Sequence, residues 1–142
     1  MGEPRNVAAK QLVSRRMAAV QQIEMAIKLF DDDRNSTCAI TLALAAEDQI
    51  PNPKSEKPFL LGAMRAEGAD KKIDINRIRN WLKHHKEPEE IGISELDVVV
   101  SILRAATKFH AAYCQPTSVM KQFLVWVKQE GIYQATFIPS DQ

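Results

Sequence analysis

Ser36-Thr37-Cys38-Ala39-Ile40-Thr41-Leu42-Ala43-Leu44-Ala45-Ala46-Glu47-Asp48-Gln49-Ile50 is the stretch on which the fold turns. Ile40, Leu42, Leu44 and four alanines make it apolar over most of its surface, so it reads as the central, buried helix of a helical protein. Its far end breaks the pattern. Glu47 and Asp48 close an otherwise apolar helix, where a carboxylate needs a partner, and a neighbouring arginine or lysine is the expected one.

The flanking segments repeat the helical signal. From about Arg5 to Phe30, Val13, Met17, Val20, Ile23, Ile27 and Phe30 recur every three or four positions, which predicts a long amphipathic helix. Asp31-Asp32-Asp33 reads as a solvated cap and turn without fixed metal geometry. Pro51-Asn52-Pro53 opens a loop, because proline lacks the amide donor and restrains the residue before it. A short helix is expected over 56–66, with Pro58 in its first turn and Gly68 as its stop. Asp74 is read as the cap of a fourth helix, Ile75 to Lys86, closed by Pro88. Ser94 or Ile93 starts a fifth reaching Tyr113, with Leu96, Val99, Val100, Leu103, Ala106 and His110 on one stripe. His110 there is expected to be a core histidine. Pro116-Thr117-Ser118 separates it from a sixth, Val119 to Gln129, on which Met120, Phe123 and Val127 repeat. The tail over 131–142 is ambiguous. An all-α, up-and-down bundle of five to six helices in a single domain is the expectation, with its core at about 5–130.

Composition narrows the function classes. At 142 residues the chain can bury a core without disulfide or metal staples. Its 19 basic and 18 acidic residues give a net charge of +1, which rules out recognition by bulk positive charge and makes any nucleic-acid site local. Cys38 and Cys114 lie in apolar helical patterns and are expected to be buried free thiols in a reducing compartment. No CxxC, HExxH or close Cys/His set appears, so no metal or other cofactor is expected. The opening residues carry no hydrophobic signal core and the apolar runs are too short to span a bilayer. A cytoplasmic protein with no membrane partner is the expectation.

The chemistry-bearing stretch is Arg79-Asn80-Trp81-Leu82-Lys83-His84. Arginine is a permanent cation whose planar fork holds phosphate oxygens, histidine can move a proton near neutral pH, and asparagine can orient either. Some Arg-to-His spacing of this kind has a chance expectation of roughly 0.5 in a chain of this composition; requiring Asn after the same arginine lowers it to roughly 0.02. On a wheel of about 100° per residue, Ile75, Ile78 and Leu82 define the core face. Arg77, Asn80 and His84 form a polar row opposite, with Asn80 a direct neighbour of both others. His85 flanks the apolar face. Arg79 sits about 140° from His84, so the two meet most readily across a two-fold axis between copies of this helix. Trp81 and Ile73 border the row, where a dimer seam or a base-stacking surface wants apolar groups. A solvated helix face carrying Arg77, Asn80, Lys83, His84 and Lys86 accounts for the same periodicity.

These residues resemble a family. Arg79-Asn80-x-x-x-His84 is similar to the Arg-x4–6-His motif of the HEPN superfamily (higher eukaryotes and prokaryotes nucleotide-binding). The stretches Ala26-Ile27-Lys28-Leu29-Phe30, Thr41 to Glu47, Arg79 to His84 and Phe123-Leu124-Val125-Trp126 resemble, in order and spacing, a group of uncharacterised bacterial HEPN-like proteins. The likeness covers about residues 20 to 130. It implies an up-and-down bundle that dimerises, with motif helices meeting in a composite cleft, and it implies metal-independent endoribonuclease activity of the kind found in toxins and defence effectors. Arg79 and His84 would be the catalytic pair and Asn80 the polar auxiliary. The wheel, and not the resemblance, adds Arg77 as a phosphate contact on the same face, with Lys83 and Trp81 as further candidates for contact with substrate. The implied partners are a second copy, RNA or a nucleotide, and a cognate protein; a non-catalytic helical module binding a nucleotide, RNA or protein is the alternative.

Overall fold

Five helices account for the regular structure of the described residues, and no strand occurs among them. The computed structural model describes residues 2–33, 35–54, 75–85 and 87–132. The helices are α1 (Arg15–Asp31), α2 (Ser36–Gln49), α3 (Ile75–Lys83), α4 (Glu95–Tyr113) and α5 (Ser118–Glu130). The expected all-α architecture is therefore present. The helix read over 56–66, its stop at Gly68, the Asp74 cap, Ile73, the Ile75 side chain, Lys86 and the tail from Tyr133 lie outside the described residues.

Three of the helices, α1, α4 and α5, start where a side chain satisfies an orphan amide. Ser14 accepts from the Met17 amide and Thr117 from the Met120 amide. Ser94 and Asp97 form a reciprocal capping box at the start of α4, each side chain bonded to the other's backbone N–H. Gly131 ends α5 in the left-handed region, which suits a residue without a Cβ.

α1 begins ten residues later than the periodicity from Arg5 suggests. Val7 and Leu12 are each 95% exposed and Val13 is exposed, so nothing buries the face that a helix there would present. The buried stripe of α1 is Ala19, Ile23, Ala26 and Ile27, with Met17 exposed above it. α1 and α2 are antiparallel, since Arg15 at the start of one donates to Gln49 at the end of the other at 2.7 Å. α2 packs against α1, α3 and α4, and α5 closes the bundle against α1 and α4.

The most buried helix is α4 and not α2. Burial runs unbroken from Val98 to Phe109, including Ser101, Arg104, Thr107 and Lys108. Those polar residues hid the fact in sequence, because they interrupt the apolar pattern. The Ser101 hydroxyl donates to the Asp97 carbonyl and the Thr107 hydroxyl to the Leu103 carbonyl, both at 2.8 Å. A helix thus supplies its own acceptors to polar side chains that fold against it. Leu96 departs from the expected stripe and is 49% exposed, lying in the first turn before the buried run begins. His110 is only partly buried.

Both cysteines are free, as expected, but exposed. Cys38 occupies the outward side of the first turns of α2, and Cys114 terminates α4 with a left-handed backbone at φ 61°.

Candidate functional site

The motif helix is docked by few apolar contacts and several charged ones. Ile78 is buried and Leu82 partly so, and these two side chains are its described hydrophobic anchor. Electrostatics complete the attachment. The Arg79 guanidinium donates to Asp48 Oδ2 at the end of α2, and Lys83 Nζ stands 3.7 Å from the same oxygen.

Glu47, beside Asp48, takes cations from the other side. Arg104 on α4 donates from Nε to Oε2 at 2.8 Å and from Nη2 to Oε1 at 2.7 Å, and Lys108 donates to the Glu47 carbonyl at 2.9 Å. The C-terminal end of α2 carries the partial negative charge of its aligned peptide dipoles, to which two carboxylates are added. Four basic side chains from α3 and α4 compensate it. The partners that Glu47 and Asp48 were expected to need are Arg104 for one and Arg79 with Lys83 for the other. Arg104 and Lys108 went unread as a pair in sequence, although their spacing of four on an otherwise apolar helix was the available signal.

The predicted site residues separate into two groups. Arg77, Asn80, Lys83 and His84 are exposed, and Arg79 and Trp81 are intermediate. α3 ends at Lys83, earlier than the expected Lys86, yet the His84 amide still donates to the Asn80 carbonyl at 2.9 Å. His84 therefore follows the helical path by one more residue. The Trp81 indole N–H donates to the Pro88 carbonyl at 2.7 Å, which folds the segment after α3 back onto the helix. That fold-back encloses an open concavity of about 420 Å³ whose walls include Trp81, Lys83, His84, His85 and Glu89. Arg79, Asn80 and Arg77 do not line it. One chain thus brings a lysine, two histidines and an indole together, and directs its motif arginine to Asp48 instead.

Such a concavity can offer a proton carrier, a cationic neighbour and a flat apolar wall for a base. Among the described residues, no cluster of His, Cys, Asp or Glu is arranged to hold a metal ion, and no helix is long and apolar enough to cross a membrane. Comparison of the chain with protein-family models, with curated proteins and with solved structures gives no match.

Proposed function

We propose that this chain is a HEPN-like protein whose α3 supplies half of a composite endoribonuclease site in a homodimer. One observation carries the reading. Arg77, Asn80 and His84 are all exposed along the motif helix while Ile78 on its other side is buried, so the row is turned outward where a second copy or an RNA strand can reach it. Arg79 and His84 lie about 140° apart around the helix axis, so a two-fold partner is the direct way to set a guanidinium against a histidine.

The chemistry follows from the residue types. A histidine takes the proton of the RNA 2′-hydroxyl as its oxygen bonds to the adjacent phosphorus, and guanidinium groups stabilise the charge that gathers on the phosphoryl oxygens. The bond to the 5′-oxygen breaks and that oxygen is protonated, which leaves a 2′,3′-cyclic phosphate and a 5′-hydroxyl. DNA lacks the attacking group and is not cut.

A non-catalytic binding module is the second reading, favoured by a separate observation: Arg79 and Lys83 both face Asp48. Incubating the protein with a structured RNA in EDTA, beside His84→Ala, separates the two. His84 is exposed, so its removal leaves the fold intact. Cyclic-phosphate products that appear with the wild type and vanish with the variant support the nuclease; uncut RNA at large protein excess supports the binding module.

A further inference from the structure

Glu47 and Asp48 are neighbours at the end of α2, yet they meet their cations in different surroundings. Glu47 is buried and gives both carboxylate oxygens to Arg104, a pair closed to solvent. Asp48 is half-exposed, and one of its oxygens serves both cations of the motif helix. The Arg79 guanidinium donates to Oδ2, and Lys83 Nζ stands 3.7 Å from the same atom.

An arginine and a lysine converging on one anionic oxygen is the arrangement that a phosphoryl oxygen takes up. Here the chain supplies the anion itself. Carboxylate and phosphate compete for such donors, because both present oxygens that match the guanidinium fork. The carboxylate holds its place weakly, since water screens a pair this exposed. Lys83 also belongs to the wall of the concavity of about 420 Å³, beside Trp81 and His84. It therefore links that concavity, through Asp48, to the arginine that lies outside it.

We propose, resting on the reading of α3 as an RNA-binding motif helix, that Asp48 is an intramolecular competitor of the substrate phosphate. It occupies Arg79 and Lys83 in the free chain, and an RNA phosphate arriving at the concavity draws both off Oδ2. Binding is then an exchange of one anion for another, and each binding event breaks the ion pair. A guanidinium released in this way is available to the histidine of a second copy.

Binding of a fluorescein-labelled single-stranded RNA, followed by anisotropy at low salt in EDTA on a His84→Ala background, reads the exchange without cleavage. Asp48→Asn is expected to tighten binding about fivefold, which corresponds to an exposed ion pair of about 1 kcal/mol. Asp48→Ser should do the same, since the charge and not the amide shape is what matters. The gain should vanish when Arg79→Gln and Lys83→Gln are also present, because the carboxylate acts through those two cations. Glu89→Gln removes a negative charge from the wall of the same concavity and should change binding by less than about twofold.

Three results would overturn the proposal: unchanged or weaker binding by both Asp48 variants, an equal gain in the absence of Arg79 and Lys83 or from Glu89→Gln, or no RNA binding by any of these proteins. The nuclease reading is tested apart from it. Cleavage by the wild type with no tightening by the Asp48 variants sinks the competitor alone, whereas tightening with no wild-type cleavage sinks the nuclease alone.

Discussion

Arg104 grips both carboxylate oxygens of Glu47, at 2.8 and 2.7 Å, with side chains only 4% and 2% exposed. The two residues are 57 apart in sequence, so the pair fixes the end of α2 against the middle of α4. It also sets the position from which Asp48 reaches the motif helix. Removing one partner leaves a buried charge uncompensated. Arg104→Met or Glu47→Gln is expected to lower the free energy of unfolding by about 3–5 kcal/mol, whereas Glu47→Leu with Arg104→Met should recover most of that loss through apolar packing. Urea unfolding of the three variants is the check, and single variants costing under about 1 kcal/mol would show that the pair is not sequestered from water.

The ion pair one residue along behaves differently. Asp48 and Arg79 have side chains 43% and 24% exposed, so water screens their attraction. A double-mutant cycle on Asp48→Ala and Arg79→Ala should give a coupling of about 1 kcal/mol or less, smaller still in high salt. A coupling several times larger, or one insensitive to salt, would mean that α3 depends on this contact for its attachment.

Asp31 gives a prediction with a definite sign. Its carboxyl is held above the ordinary value by partial desolvation and then by Asp32, so the folded protein binds that proton more tightly than the unfolded chain does. The group therefore destabilises the fold as pH rises through and beyond the ordinary carboxylate range. Asp31→Asn should be more stable than the wild type near neutral pH, and the difference should close below the unfolded carboxylate pKa. Thermal unfolding of both proteins across that range tests it; a gap that widens in acid would reverse the sign.

Much of the bundle was legible because burial and apolar spacing coincide in α2 and α5. Ile40 and Leu44, and Met120, Phe123 and Val127, are buried at the positions their periodicity marks. Periodicity misled where packing partners decide. Residues from Arg5 to Val13 carry helical spacing but no covering surface, and α4 is buried on sides where Arg104 and Lys108 make it look solvated. The outward row of Arg77, Asn80 and His84 was readable from the opposing Ile78. The pairing of Arg79 with Asp48 was not, since a wheel gives the direction of a side chain but not which neighbouring helix lies there. The meeting of Phe30 with Phe123 and Trp126 was equally hidden, because these rings come from α1 and α5 and come together only in the folded chain.

A shared cleft has a direct test in subunit mixing. Arg79→Ala and His84→Ala should each be inactive on RNA in EDTA, and co-refolding them in equal amounts should restore about a quarter of wild-type cleavage. Half of the dimers are then mixed, and each mixed dimer carries one site with both residues intact. Wild-type cleavage with no recovery on mixing would contradict a site built from two chains, and absence of wild-type cleavage would contradict the nuclease itself.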